Sequence, residues 1–236
     1  MATIDSSHFA LAGSQSQVSV RTATELAVGF AAIVAVLWLP MPQQMIFGPI
    51  ALLSPLVLVI LQKPSLAELG LDWRGLVSSL WLLPAAAILA GAGKLLASWA
   101  GTFHDLYKPD LAHVGGYVLW TVYQQFLLQD YFMPRLRRLF SIDAAIAFAA
   151  VLFAIAHLPN VILTVATLVW GAASCVLFRR YRSLLVIGIA QGLLGLCFAV
   201  CVPDVFLHHM RVGLGYWQYH PPVAGQPSLY HGTAGK

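Results

Sequence analysis

Across residues 183–203 no side chain carries a charge, and Gln191 is the only amide. A largely apolar run of about 20 residues suffices for one helical crossing of a bilayer. In hydrocarbon a helix is favoured because it satisfies its backbone N–H and C=O groups within itself. Runs of this kind recur at about 24–40, 46–62, 75–99, 114–133, 142–158, 160–178 and 183–203. The expected fold is therefore all-α, a polytopic membrane bundle of about seven transmembrane helices. Composition agrees: 59% of the chain is hydrophobic and 9% is charged, against about 25% charged in soluble domains.

The runs also divide the chain. Residues 1–22 read as a polar N-terminal arm, without an apolar core of signal-peptide length. Residues 23–203 form the membrane domain, with a short amphipathic connector at 63–74. Residues 204–236 read as an interfacial segment, rich in aromatic residues around Tyr216-Trp217-Gln218-Tyr219, and a flexible tail rich in Pro, Gly and Ser. Seven crossings put Arg21, Lys63, Arg74, Arg135, Arg137, Arg138, Arg179, Arg180 and Arg182 on one side. Lys108, Arg211 and Lys236 fall on the other, with Lys94 late in the third run. The bias of Lys and Arg toward the cytoplasm predicts an N-terminus inside and a C-terminus outside. Basic residues spread in this way through short loops account for a pI of about 9.1 without nucleic acid. Cys175, Cys197 and Cys201 lie in apolar runs, so neither a disulfide framework nor a zinc cluster follows. The pair His208–His209 reads as surface histidines rather than metal ligands, because adjacent helical side chains diverge by about 100°.

One run is not purely apolar. Tyr123-Gln124-Gln125-Phe126-Leu127-Leu128-Gln129-Asp130 brings three amides and a carboxylate to membrane depth. Gln125 and Gln129 stand one helical turn apart, flanked by Gln124. Buried polar groups must pair, so these residues are expected to face the bundle interior. Alone they read as hydrogen-bonding glue between helices. Alongside them the fifth run carries Phe153 and His157, in Phe153-Ala154-Ile155-Ala156-His157, and the seventh carries Gln191. The three runs can be drawn with these polar residues facing one shared interior.

This order of motifs resembles the CPBP intramembrane proteases, the family that includes CAAX prenyl proteases and Abi proteins. The resemblance covers about residues 60–202. The family carries Glu-Glu-x-x-x-Arg on one helix, Phe-x-x-x-His on the next and His-x-x-x-Asn/Asp on a later one. Here Gln124, Gln125 and Gln129 stand at the two glutamates and the arginine, Phe153 and His157 match intact, and Gln191 and Gly195 fall on the last motif. The Leu69-Gly70-Leu71 connector ahead of a long helix is also similar to this family. The resemblance implies an integral protein of the bacterial inner membrane, nominally an endopeptidase acting on membrane-associated substrates.

The substitutions bear on chemistry. A glutamine amide takes no proton from water at neutral pH, so it cannot replace the glutamate that the family uses to activate water. Amides are also weak ligands for divalent metals, so no cofactor is expected. Two readings stay open. In one, a divergent endopeptidase or hydrolase of lipid-linked substrates uses His157 as base, with Gln124, Gln125 and Gln191 positioning water and polarising a carbonyl. Gln129, Phe153 and Asp130 would then contact substrate. In the other, a catalytically inactive pseudoprotease binds a membrane peptide, a lipid group or a partner protein. The chemistry leans to the second. A small transporter or channel is a weaker third reading, since no internal repeat or broken helix pair is visible.

Overall fold

The computed structural model describes residues 6–106 and 110–220, with side chains from Gln17 onward. Among the described residues the long helices form seven rods. The first two are α1 (Ser6–Leu37) and α2 (Met41–Ile60). The third joins α3 (Trp73–Ser79) to α4 (Leu82–Ala100). The fourth runs through α5 (Leu111–Phe126), a π-turn (Leu127–Phe132) and α6 (Met133–Leu139). Then come α7 (Ile142–Ile155), α8 (Val161–Tyr181) and α9 (Leu184–Cys201). Two short helices, α10 (Asp204–Leu207) and α11 (Leu214–Trp217), follow.

Five stretches are long and apolar enough to cross a membrane: Gln17–Leu37, Met41–Ile60, Trp73–Ala100, Val161–Tyr181 and Leu184–Cys201. The fourth rod is long but interrupted by the π-turn. The 14 residues of α7 span only about 21 Å. Contacts between loops sort the rod ends into two groups. At one end Arg135 pairs with Glu25, Arg182 donates to the Glu68 carbonyl, and the Leu184 amide donates to the Gly70 carbonyl. At the other, Thr102 Oγ1 donates to the Cys201 carbonyl and the Gly213 amide to the Leu158 carbonyl. The rods alternate between these ends, as a seven-crossing bundle requires.

Local boundaries differ from the sequence expectation for identifiable reasons. The first helix begins at Ser6, inside the stretch read as a polar arm, while residues 221–236 of the tail lie outside the described residues. The second starts at Met41 rather than near 46, because Pro42 sits in its first turn, where a missing N–H costs nothing. The fifth stops at Ile155 rather than 158: Leu158 precedes Pro159, which disfavours helical backbone there, and Asn160 already caps α8. His157 therefore sits on the turn after α7, not within it.

The fourth rod lies at the centre. Leu128, Tyr131 and Leu136 are almost fully buried, and α5 packs closely on α9. That approach depends on Gly188, where an added Cβ would lie 2.6 Å from the Val122 Cα. Thr121 Oγ1 donates to the Gly188 carbonyl at 2.9 Å, so a backbone group also joins the contact. Arg135, counted by sequence among the loop charges, is 2% exposed. Its guanidinium pairs with Glu25 at 3.1 Å and stacks 3.9 Å from the Tyr131 ring, fastening α1 to the bundle.

Candidate functional site

The glutamines meet in the middle of the bundle. Gln129 Nε2 donates to Gln125 Oε1 at 3.1 Å, and Gln125 Nε2 donates to Gln191 Oε1 at 2.6 Å. Gln191 Nε2 then donates to Gln124 Oε1 at 2.5 Å. The π-turn carries Gln129, and α5 and α9 carry the rest, so the chain of amides joins two rods. A third, α8, enters through Trp170, whose Nε1–H donates to Gln191 Oε1 at 3.0 Å. An indole N–H can only donate, so it must meet an oxygen. That contact fixes the orientation of Gln191 and, bond by bond, of Gln125, Gln129 and Gln124. All donors point the same way along the relay, which leaves Gln124 Nε2 as its last donor. Among the described residues nothing accepts from it.

His157 occupies a neighbouring position. Its Nδ1 lies 2.7 Å from the Phe153 carbonyl oxygen, and its ring meets the Phe153 ring edge-to-face. A carbonyl only accepts, so Nδ1 carries the proton and Nε2 keeps its lone pair. Among the described residues no carboxylate or amide hydrogen-bonds to His157.

Gln124, Gln191, Phe153 and His157 line one cavity of about 470 Å³. Trp170, Thr167 and Tyr117 also line it, and the remaining walls are mostly apolar, drawn from α1, α2, α5, the π-turn, α7, α8, α9 and the C-terminal segment. No Asp, Glu, Lys or Arg lines it. Gln125 and Gln129 are not among its walls; they are 0% and 3% exposed, Gln125 holding Gln191 from behind and Gln129 holding Gln125. Asp130 stays off both network and cavity, with its Oδ2 unpartnered among the described residues. Gly195 packs against the Tyr117 hydroxyl, which occupies the space a side chain would need. The expected grouping of three helices therefore gains a fourth. Trp170, with Ser174 one turn further, lies on a polar stripe of α8 that the sequence displays but that reads equally well as core packing.

Chemically, the site donates hydrogen bonds from amides and accepts one at His157 Nε2. The carbonyl oxygens of Gln125, Gln191 and Gln124 each already accept from a neighbouring amide. Among the described residues no three His, Cys, Asp or Glu side chains are placed to hold a metal ion.

The family model described as type II CAAX prenyl endopeptidase Rce1-like matches residues 108–197. Over that segment the chain is similar to this family, and its long apolar helices are those of a membrane protein. The matched segment holds every residue of the amide relay, together with Phe153, His157 and Trp170. No curated protein and no solved structure matches the chain.

Proposed function

We propose that this protein is a non-catalytic member of the CAAX-protease-like group, which holds a hydrophobic membrane ligand in its central cavity. The observation that carries this reading is the amide relay. At both glutamate positions stands an amide whose carbonyl already accepts a hydrogen bond from another amide. Neither can draw a proton from water. The uncharged and largely apolar walls suit a ligand taken from the bilayer. The reading needs no metal, because amides are weak ligands. It places the arginine-rich end in the cytoplasm.

The test uses purified protein in lipid nanodiscs with a panel of membrane-anchored peptides, wild type against His157→Ala. Neither protein should cleave, while hydrophobic ligands should change the fluorescence of Trp120 and Trp170, which line the cavity. Cleavage by wild type that His157→Ala abolishes would establish the second reading, a hydrolase. One feature favours that alternative: His157 Nε2 is an available base beside the cavity.

A further inference from the structure

The relay has a polarity that identifies a ligand. Trp170 forces Gln191 to present its oxygen to α8, so Gln191 Nε2 must face Gln124 and take up the Gln124 oxygen. Gln124 then keeps its oxygen turned into the relay and has a whole NH₂ group that nothing among the described residues accepts from. Each amide in such a chain polarises the next, which strengthens that terminal donor. The Phe153 carbonyl fixes the other partner by holding His157 Nδ1–H, so His157 Nε2 can only accept while the ring is neutral. One cavity is therefore lined by a residue with a spare donor and a residue with a spare acceptor, and by no formal charge.

We infer that the cavity recognises the secondary amide head of a lipid, its carbonyl accepting from Gln124 Nε2 and its N–H donating to His157 Nε2. The inference rests on the binding reading above and names the ligand class for it. An ester or tertiary amide offers the carbonyl but no donor. A carboxylate or phosphate offers charge, for which the walls hold no Lys or Arg. A peptide bond carries the same amide chemistry, but size favours a lipid. One turn of α-helix with side chains sweeps roughly 500 Å³, as much as the whole cavity of about 470 Å³. A single acyl chain with a small head fits the range of small-molecule sites.

The experiment measures dissociation constants in nanodiscs by tryptophan fluorescence for five probes of equal chain length: N-methyl oleamide, N,N-dimethyl oleamide, methyl oleate, oleate and 1-octadecene. N-methyl oleamide should bind roughly three- to tenfold tighter than the dimethyl amide or the ester, the span expected for one hydrogen bond. Oleate should bind more weakly still at neutral pH. His157→Phe should erase the difference between the two amides. Gln124→Leu should erase the advantage of every carbonyl probe over 1-octadecene. Binding of 1-octadecene by both variants checks that the cavity is intact. Equal binding of all five probes overturns the inference and leaves the binding reading standing, as does a preference for oleate. Tighter binding of a membrane-spanning peptide than of N-methyl oleamide overturns the lipid assignment. Failure of every probe overturns both readings, and release of oleate from the amide overturns the non-catalytic one.

Discussion

At the scale of single residues, the adjacent glutamines Gln124 and Gln125 are not equivalent. Gln125 is fully buried and uses its Nε2 on Gln191 and its Oε1 on Gln129. Gln125→Glu would set a carboxylate oxygen against the Gln191 oxygen with no cation beside it. We expect a loss of roughly 2–4 kcal/mol in stability. Gln124 uses only its oxygen in the relay, and the residue itself lines the cavity. Gln124→Glu should cost about 1 kcal/mol or less, as expected where a side chain keeps its acceptor and can be hydrated. Unfolding of both variants by detergent titration tests the order, and equal losses would contradict the relay. The meeting of these glutamines was legible in the sequence because amides in apolar helices must find partners. The indole that orients them was not, because a tryptophan in a membrane helix packs just as well without a partner for its N–H.

Among the elements, the C-terminal segment shows how much a single cap can hold. His208, His209 and Met210 take left-handed backbone with φ of 50°, 50° and 57°. Each such residue costs about 1–2 kcal/mol in a non-glycine. Asn160 bridges this stretch, its Nδ2 donating to the Leu207 and Arg211 carbonyls while its Oδ1 caps α8 through the Leu163 amide. Met210 and Val212, beside it, line one end of the cavity. Asn160→Ala should accelerate proteolysis between 207 and 213 and lower stability by about 1–3 kcal/mol. Asn160→Asp keeps the cap and loses the two donors, so it should release the segment while α8 stays intact. Hydrogen exchange on the two regions separates these outcomes. The sequence announced α8 through its apolar run at about 160–178. It gave no sign of the π-turn at Leu127–Phe132, since no residue type marks one and the apolar pattern on either side continues unbroken.

For the whole molecule, alternation of the rods between two ends fixes a parity. Seven crossings put the first and last rods' outer ends on opposite sides. Reporter tags at residues 1 and 236 should be read from opposite faces of the membrane, the N-terminal one from the cytoplasm. That expected direction rests on Arg137, Arg138, Arg179 and Arg180, in the last turns of α6 and α8. Arg135 contributes less than its position in the sequence suggests, since Glu25 neutralises it inside the bundle. Removing the charges of Arg137 and Arg138 should therefore disturb orientation more than removing that of Arg135. Arg135→Ala should instead loosen α1, visible as faster exchange in residues 18–37. Tags on the same face would eliminate the seven-rod topology.

The contact between Trp170 and Gln191 makes the amide relay behave like a row of water molecules in ice, with two proton orders of almost equal energy and one lifted above the other. With Trp170→Phe the row comes closer to degenerate: every amide can turn over together without losing a bond inside the relay, and only the long contacts of Gln129 Nε2 to Ser174 Oγ at 3.4 Å and Cys175 Sγ at 3.6 Å still favour the original order. Gln124 would then show an oxygen to the cavity in part of the population. The preference among cavity ligands should shift toward hydrogen-bond donors, an alcohol gaining on its matched ester, although no residue with a free hydrogen-bonding atom has changed. A single indole N–H, spent on one oxygen, would in that case be the element that writes the selectivity of a site it does not itself complete.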